Sequence, residues 1–263
     1  MTLWLFGDSI FAGAAFEVKV KPRHPAWPVR APGPMIELML DEPCTRPGGP
    51  TAIPSGVEEA ASGIEAMVGR DIGPGDVIVM LDVGVHSFDP DVHERQWLQL
   101  RAATRAHPGL TLICEGFDFG AQGRRRKVHS KPIRGGRSAN DAVRAAALEP
   151  MRQAGRTVFV PTSKPLLRYH HALAELYGLG AGWNDGIHLN VWGQGRLCWL
   201  VLEALGRTQP EAMARWRSFA EAHWSILQAP GPAAAGRIAE MACAPSDSLY
   251  GGERAATARG AAS

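Results

Sequence analysis

Four short apolar runs constrain this chain more than anything else in it. They are LWLF at 3–6 inside a run over 2–7, VIVMLDVG at 77–84, LTLICEGF at 110–117 and RTVFVPT at 156–162. Each is four to eight residues long and bounded by Gly, Pro or Asp, the pattern of strands covered on both faces. Helical patterns separate them, at about 35–41, 57–69, 91–106 and 139–154, the last with Ser138 and Asn140 placed to cap it. Thr51 to Ile53 is a weaker strand signal. Strands alternating with helices fold as β-α-β units, so the expectation is α/β: an open parallel sheet in three layers, with helices on both faces. In such a sheet the ligand site lies beyond the carboxyl ends of the strands.

The 263 residues suffice for one domain with a real core. We expect that domain over 1–207, an appended amphipathic helix over 208–228, and a loose Ala/Gly-rich tail over 229–263 with at most a short helical turn near Ile238. No apolar run is long enough to span a bilayer, and no basic, apolar leader precedes the first strand, so a cytoplasmic protein without membrane contact is expected. The four cysteines (Cys44, Cys114, Cys198, Cys243) are far apart with no C-x-x-C pair. Cys114 and Cys198 read as core thiols, and neither a disulfide framework nor a metal site is expected.

Two stretches can carry chemistry. FGDSIFAG at 6–13 puts Ser9 just after a strand and before a helical signal, where a positive helix end favours a nucleophile or a developing oxyanion. Equally, Asp8 or Ser9 could simply cap a turn. NDGIHLNVWGQGRL at 184–197 holds Asp185 and His188 three residues apart, a spacing that lets a carboxylate orient an imidazole. The alternative is a D-G turn with His188 capping the next helix. Taken together at opposite ends of one α/β domain, in the order Ser…Asp…His, they favour a catalytic triad.

With these blocks the chain resembles the SGNH, or GDSL-type, esterases and lipases over roughly residues 2–206, a family with a flavodoxin-like fold. FGDSIFAG is similar to the first family block, which implies Ser9 as nucleophile and its N–H as an oxyanion donor. PSGVEEAASGIEAM at 54–67 resembles the second and implies Gly56 as a backbone donor. The last block implies Asp185 and His188 as the rest of the triad. The third block departs: DVGVHSFD at 82–89 carries His86 where the family has Asn and Ser87 where it has Asp. Either the His86 N–H replaces the Asn donor, or the oxyanion hole has backbone donors alone.

Residues 117–138 hold seven basic residues (Arg124, Arg125, Arg126, Lys127, Lys131, Arg134, Arg137) against Asp118, in a chain whose net charge is only +2. The stretch is either a solvated loop or a focus for an anionic substrate or an acidic carrier protein. Without interleaved aromatics it is a poor nucleic-acid surface. Trp183 and Trp192 flank the Asp–His turn as pocket walls or as core. His170 and His171 are adjacent on a helix and point apart, so they share no metal.

The expected function is hydrolysis of an acyl ester, an acetyl ester for instance, of a small and anionic molecule, with no cofactor. Two alternatives stay open: an acyltransferase using the same triad on a biosynthetic or carrier-bound intermediate, and a non-catalytic binding protein of the same fold. The oligomeric state is not legible in the sequence.

Overall fold

The computed structural model describes residues 1–7, 32–42, 57–81, 90–114, 146–147, 149–151, 155–182 and 189–246. Four strands form one parallel sheet in the order β1-β2-β3-β4: β1 (Leu3–Phe6), β2 (Val77–Leu81), β3 (Leu110–Cys114) and β4 (Thr157–Val160). Seven helices are named along the described chain. They are α1 (Pro32–Leu40), α2 (Val57–Met67), α3 (Pro90–Arg105), α4 (Ser163–Tyr177), α5 (Val191–Ala204), α6 (Pro210–Ala222) and α7 (Pro232–Ala242).

The period of two along each strand divides the core. Leu3, Leu5, Val77, Val79, Leu112, Cys114 and Val160 point to one face, and α1, α4, α5, α6 and α7 pack there. Trp4, Phe6, Ile78, Met80 and Ile113 point to the other, where α2 and α3 meet Ala147 and Met151. Both faces of the sheet carry helices, the strands are apolar apart from Thr111 and Thr157, and the expected three-layer α/β architecture is the one observed. β4 ends at Val160, two residues earlier than expected, while the expected ends of β2 and β3 at 84 and 117 lie outside the described residues. The weak strand signal at 51–53 and the cap residues Ser138 and Asn140 lie outside the described residues. Cys114 and Cys198 are fully buried, as expected.

Asp76 organises the amino-terminal edge of the sheet. Its carboxylate accepts from the amides of Thr2 (2.8 Å) and Gly73 (3.0 Å) and from the Trp4 indole (3.1 Å). Burial opposes its ionisation, yet these three donors prevail and hold the carboxyl below its usual pKa.

The carboxyl-terminal region differs from expectation. Residues 232–242 are a buried helix, not a loose tail: Ala235, Ile238, Ala239 and Ala242 are all fully buried. Low side-chain bulk made this stretch look unable to pay its own ordering entropy. Alanine is however the best helix former, and a small-residue face lets α7 approach α5 and α6 closely. Polar contacts fix it in place. Tyr169 donates to the Ile238 carbonyl (3.1 Å), and the buried Arg196 donates through Nη1 to the carbonyls of Ala242 (2.9 Å) and Ala244 (2.5 Å). Helices α6 and α7 thus share the core of the sheet, and are not beads on its end. Arg207 pairs with Glu42 (2.5 Å), and Arg215 donates twice to the Met39 carbonyl, which ties the end of α1 to the same unit.

Candidate active site

Because all four strands are parallel and in register, their carboxyl ends share one edge: Phe6 pairs with Met80, Leu81 with Cys114, and Cys114 with Val160. Ser9 follows Phe6 by three residues, His86 follows Leu81 by five, and the basic stretch begins three residues after Cys114. The predicted site residues Ser9, Gly56, His86, Arg124, Arg125, Arg126, Trp183, Asp185 and His188 all lie outside the described residues. What is described is the framework that enters and leaves their segments.

Helix α2 begins at Val57, directly after Gly56. Its far end leads through Ile72 and Asp76 into the start of β2, at the amino-terminal edge. Eleven helical residues and five strand residues both span about 16 Å, so the amino end of α2 lies level with the strand ends. Helix α4 starts three residues past Val160, at the same edge. The amino ends of both helices, where the helix dipole is positive, therefore lie at the carboxyl edge of the sheet.

The segment carrying Asp185 and His188 has a defined frame. Gly182 and Leu189 pair as an antiparallel bridge, bringing its two ends together. The chain reaches that bridge halfway up α4, where the Ala181 amide donates to His170 Nδ1 (2.9 Å). A side chain at Gly180 would sit 2.7 Å from the His170 ring, so glycine is required there. Burial, and then the neighbouring His171, holds the His170 pKa below 6.5, which keeps Nδ1 free to accept. His171 is exposed and His170 half-buried, yet the two rings do not point fully apart: they meet edge to face with centroids 5.8 Å apart.

Asn190 closes the frame. Its amide donates to the Ala181 carbonyl (3.1 Å), its Nδ2 donates to the Gly180 carbonyl, and its Oδ1 caps α5 by accepting from Gly193 (3.0 Å). The cap of α5 is thus Asn190, and His188 is not needed for it. Sequence reasoning missed both Asn190 and His170; an Asn just ahead of a helical pattern was the available signal. Trp192 is a core residue, not a pocket wall: it is buried, bonds the Leu227 carbonyl (3.1 Å) and packs edge-on against Trp216.

Among the described residues no cluster of three His, Cys, Asp or Glu side chains could hold a metal, and no helix is long and apolar enough to cross a membrane. No protein-family model and no curated protein matches the chain. Several solved structures are similar at low identity. A G-D-S-L-family lipolytic protein from Veillonella parvula is 14% identical, with a TM-score of 0.49 over 79% of this chain and 99% of its own. An acetyl xylan esterase variant from Geobacillus stearothermophilus is 16% identical, with a TM-score of 0.47 over 78% and 94%. A GDSL-like lipase from Bacteroides thetaiotaomicron is 11% identical, with a TM-score of 0.46 over 79% and 89%.

Proposed function

We propose that this protein is a serine esterase. In this reading Ser9 attacks the ester carbonyl while His188 takes its proton, and His188 then protonates the departing alcohol. Asp185 orients His188, and water releases the acid from Ser9 by the reverse proton route. The N–H groups of Ser9 and Gly56 hold the oxyanion, and His86 stands in for the missing Asn as a third donor. The basic stretch with Arg124, Arg125 and Arg126 favours an anionic ester, and Trp183 lines its site.

The supporting observation is an agreement between motif order and sheet edge. The Ser9 segment leaves β1 at the carboxyl edge, Gly56 precedes a helix whose amino end is level with that edge, and the His188 segment is framed against α4 on the way to α5. Three independent motif blocks are thereby compatible with one site. Fluorophosphonate labelling combined with hydrolysis of p-nitrophenyl acetate tests it. Wild type labels and turns over; Ser9→Ala does neither, and His188→Ala loses about four to six powers of ten in kcat. Labelling that survives Ser9→Ala would remove the triad.

A further inference from the structure

At the opposite edge of the sheet, on the face covered by α3, lies a cavity of about 240 Å³. Thr104 and Arg105 at the end of α3, His107, Thr111 of β3, and Arg156 and Thr157 entering β4 line it. Three features mark it as more than a surface dent. First, Thr111 and Thr157 are direct cross-strand partners, so their side chains share one face; they are only 2% and 7% exposed. Both residues line the cavity, where adjacent hydroxyls can donate to one ligand. Second, His107 is 1% exposed and donates through Nε2 to the Asp76 carbonyl (3.1 Å), which leaves its buried Nδ1 without a partner among the described residues. Third, the exposed Arg105 and Arg156 both line the cavity, and guanidinium groups pair strongly with oxyanions.

The geometry points to a second binding site: this cavity takes a small oxyanion, with orthophosphate as its simplest representative, between the Arg105 and Arg156 guanidinium groups and the Thr111 and Thr157 hydroxyls. Guanidinium forks match tetrahedral and carboxylate oxygens, and hydroxyls donate to the same atoms. A protonated oxygen of the ligand also suits a wall that contains the acceptor Nδ1 of His107. The volume falls below the roughly 300–1,000 Å³ of sites for drug-sized ligands, so the occupant is a free anion or the phosphate of a small metabolite. The site is at the opposite edge of the sheet from the carboxyl end of β1 and does not depend on the esterase reading.

The test is titration of the full chain with inorganic phosphate, followed by calorimetry and by the shift in Tm. Wild type binds and gains Tm. Arg105→Ala and Arg156→Ala, both at exposed positions, each weaken binding at least about tenfold, and Thr157→Val weakens it too. Arg95→Ala, an exposed arginine elsewhere on α3, and Ser9→Ala leave binding unchanged. The inference is overturned by an absence of phosphate binding in wild type, or by losses in Arg95→Ala equal to those at Arg105 and Arg156, which would mean diffuse charge only.

Discussion

The Ala181 amide donates to Nδ1 of His170, fixing the chain against α4 one residue before the bridge that frames Asp185 and His188. That bond needs a neutral imidazole. Burial lowers the folded-state pKa of His170, and burial likewise lowers that of His107 despite the favourable Asp76 carbonyl. Below about pH 6.5 the unfolded chain therefore binds more protons than the folded one. Stability is full above that pH and falls as the pH drops from there towards the folded-state values. Urea denaturation between pH 4.5 and 8 should show this slope. His170→Gln, whose side-chain oxygen accepts the same bond without titrating, should flatten part of it.

Gly193, in the first turn of α5, leaves no room for a side chain, because a Cβ there would collide with the Ala181 carbonyl. Gly193→Ala must push α5 away from the 180–182 segment. Overpacking of this kind costs about 1–3 kcal/mol. On the esterase reading the displacement also reaches the segment of Asp185 and His188, so kcat should fall while KM changes little. A variant that loses stability but keeps kcat would separate the frame from the chemistry.

Arg196 is fully buried, and its only described acceptors are the carbonyls that end α7. Arg196→Met removes the charge but strands two carbonyls, at a cost of about 2–4 kcal/mol by urea denaturation. Arg196→Lys should rescue little, since a single ammonium cannot copy the reach of the guanidinium. Deleting residues 230–263 should be worse than either, because it uncovers Tyr169 and Trp216. A truncated chain with unchanged stability would show that α7 is dispensable. Cys243, its thiol pushed up to about 12 chiefly by burial, should stay unreactive to iodoacetamide at pH 8 until the chain unfolds.

On the esterase reading, His86 is the third oxyanion donor. If it donates, His86→Ala lowers kcat by about two to three powers of ten with little change in KM, and His86→Asn restores part of the loss. Equal rates in wild type and His86→Ala would leave the hole with backbone donors alone. Neutralising Arg124, Arg125 and Arg126 together should raise KM for an anionic ester more than for a neutral one. Parallel changes on both esters would remove the anion preference.

Much of the fold was legible because strands and helices announce themselves through period and length. The runs at 3–6, 77–81, 110–114 and 157–160 needed no tertiary information, since short, largely apolar runs bounded by turn residues mark the strands of a covered sheet. The site was legible only as motifs: G-D-S and D-x-x-H name residue types and spacing. The supports of the site were not legible. Asn190 and His170 act through hydrogen bonds to Ala181 and Gly180, and the pairing of His170 with Ala181 spans eleven residues that no local pattern links.

The sequence by itself determined the parallel sheet, the order of its elements, and which segments follow its carboxyl edge, because hydrophobic period and turn residues are local properties. Tertiary structure alone decided that residues 232–242 are core, that Trp192 packs against Trp216, and that Arg196 is buried under α7. In each case the deciding quantity was the burial available when distant segments meet. An Ala-rich stretch is indistinguishable from a tail until a complementary surface exists to bury it.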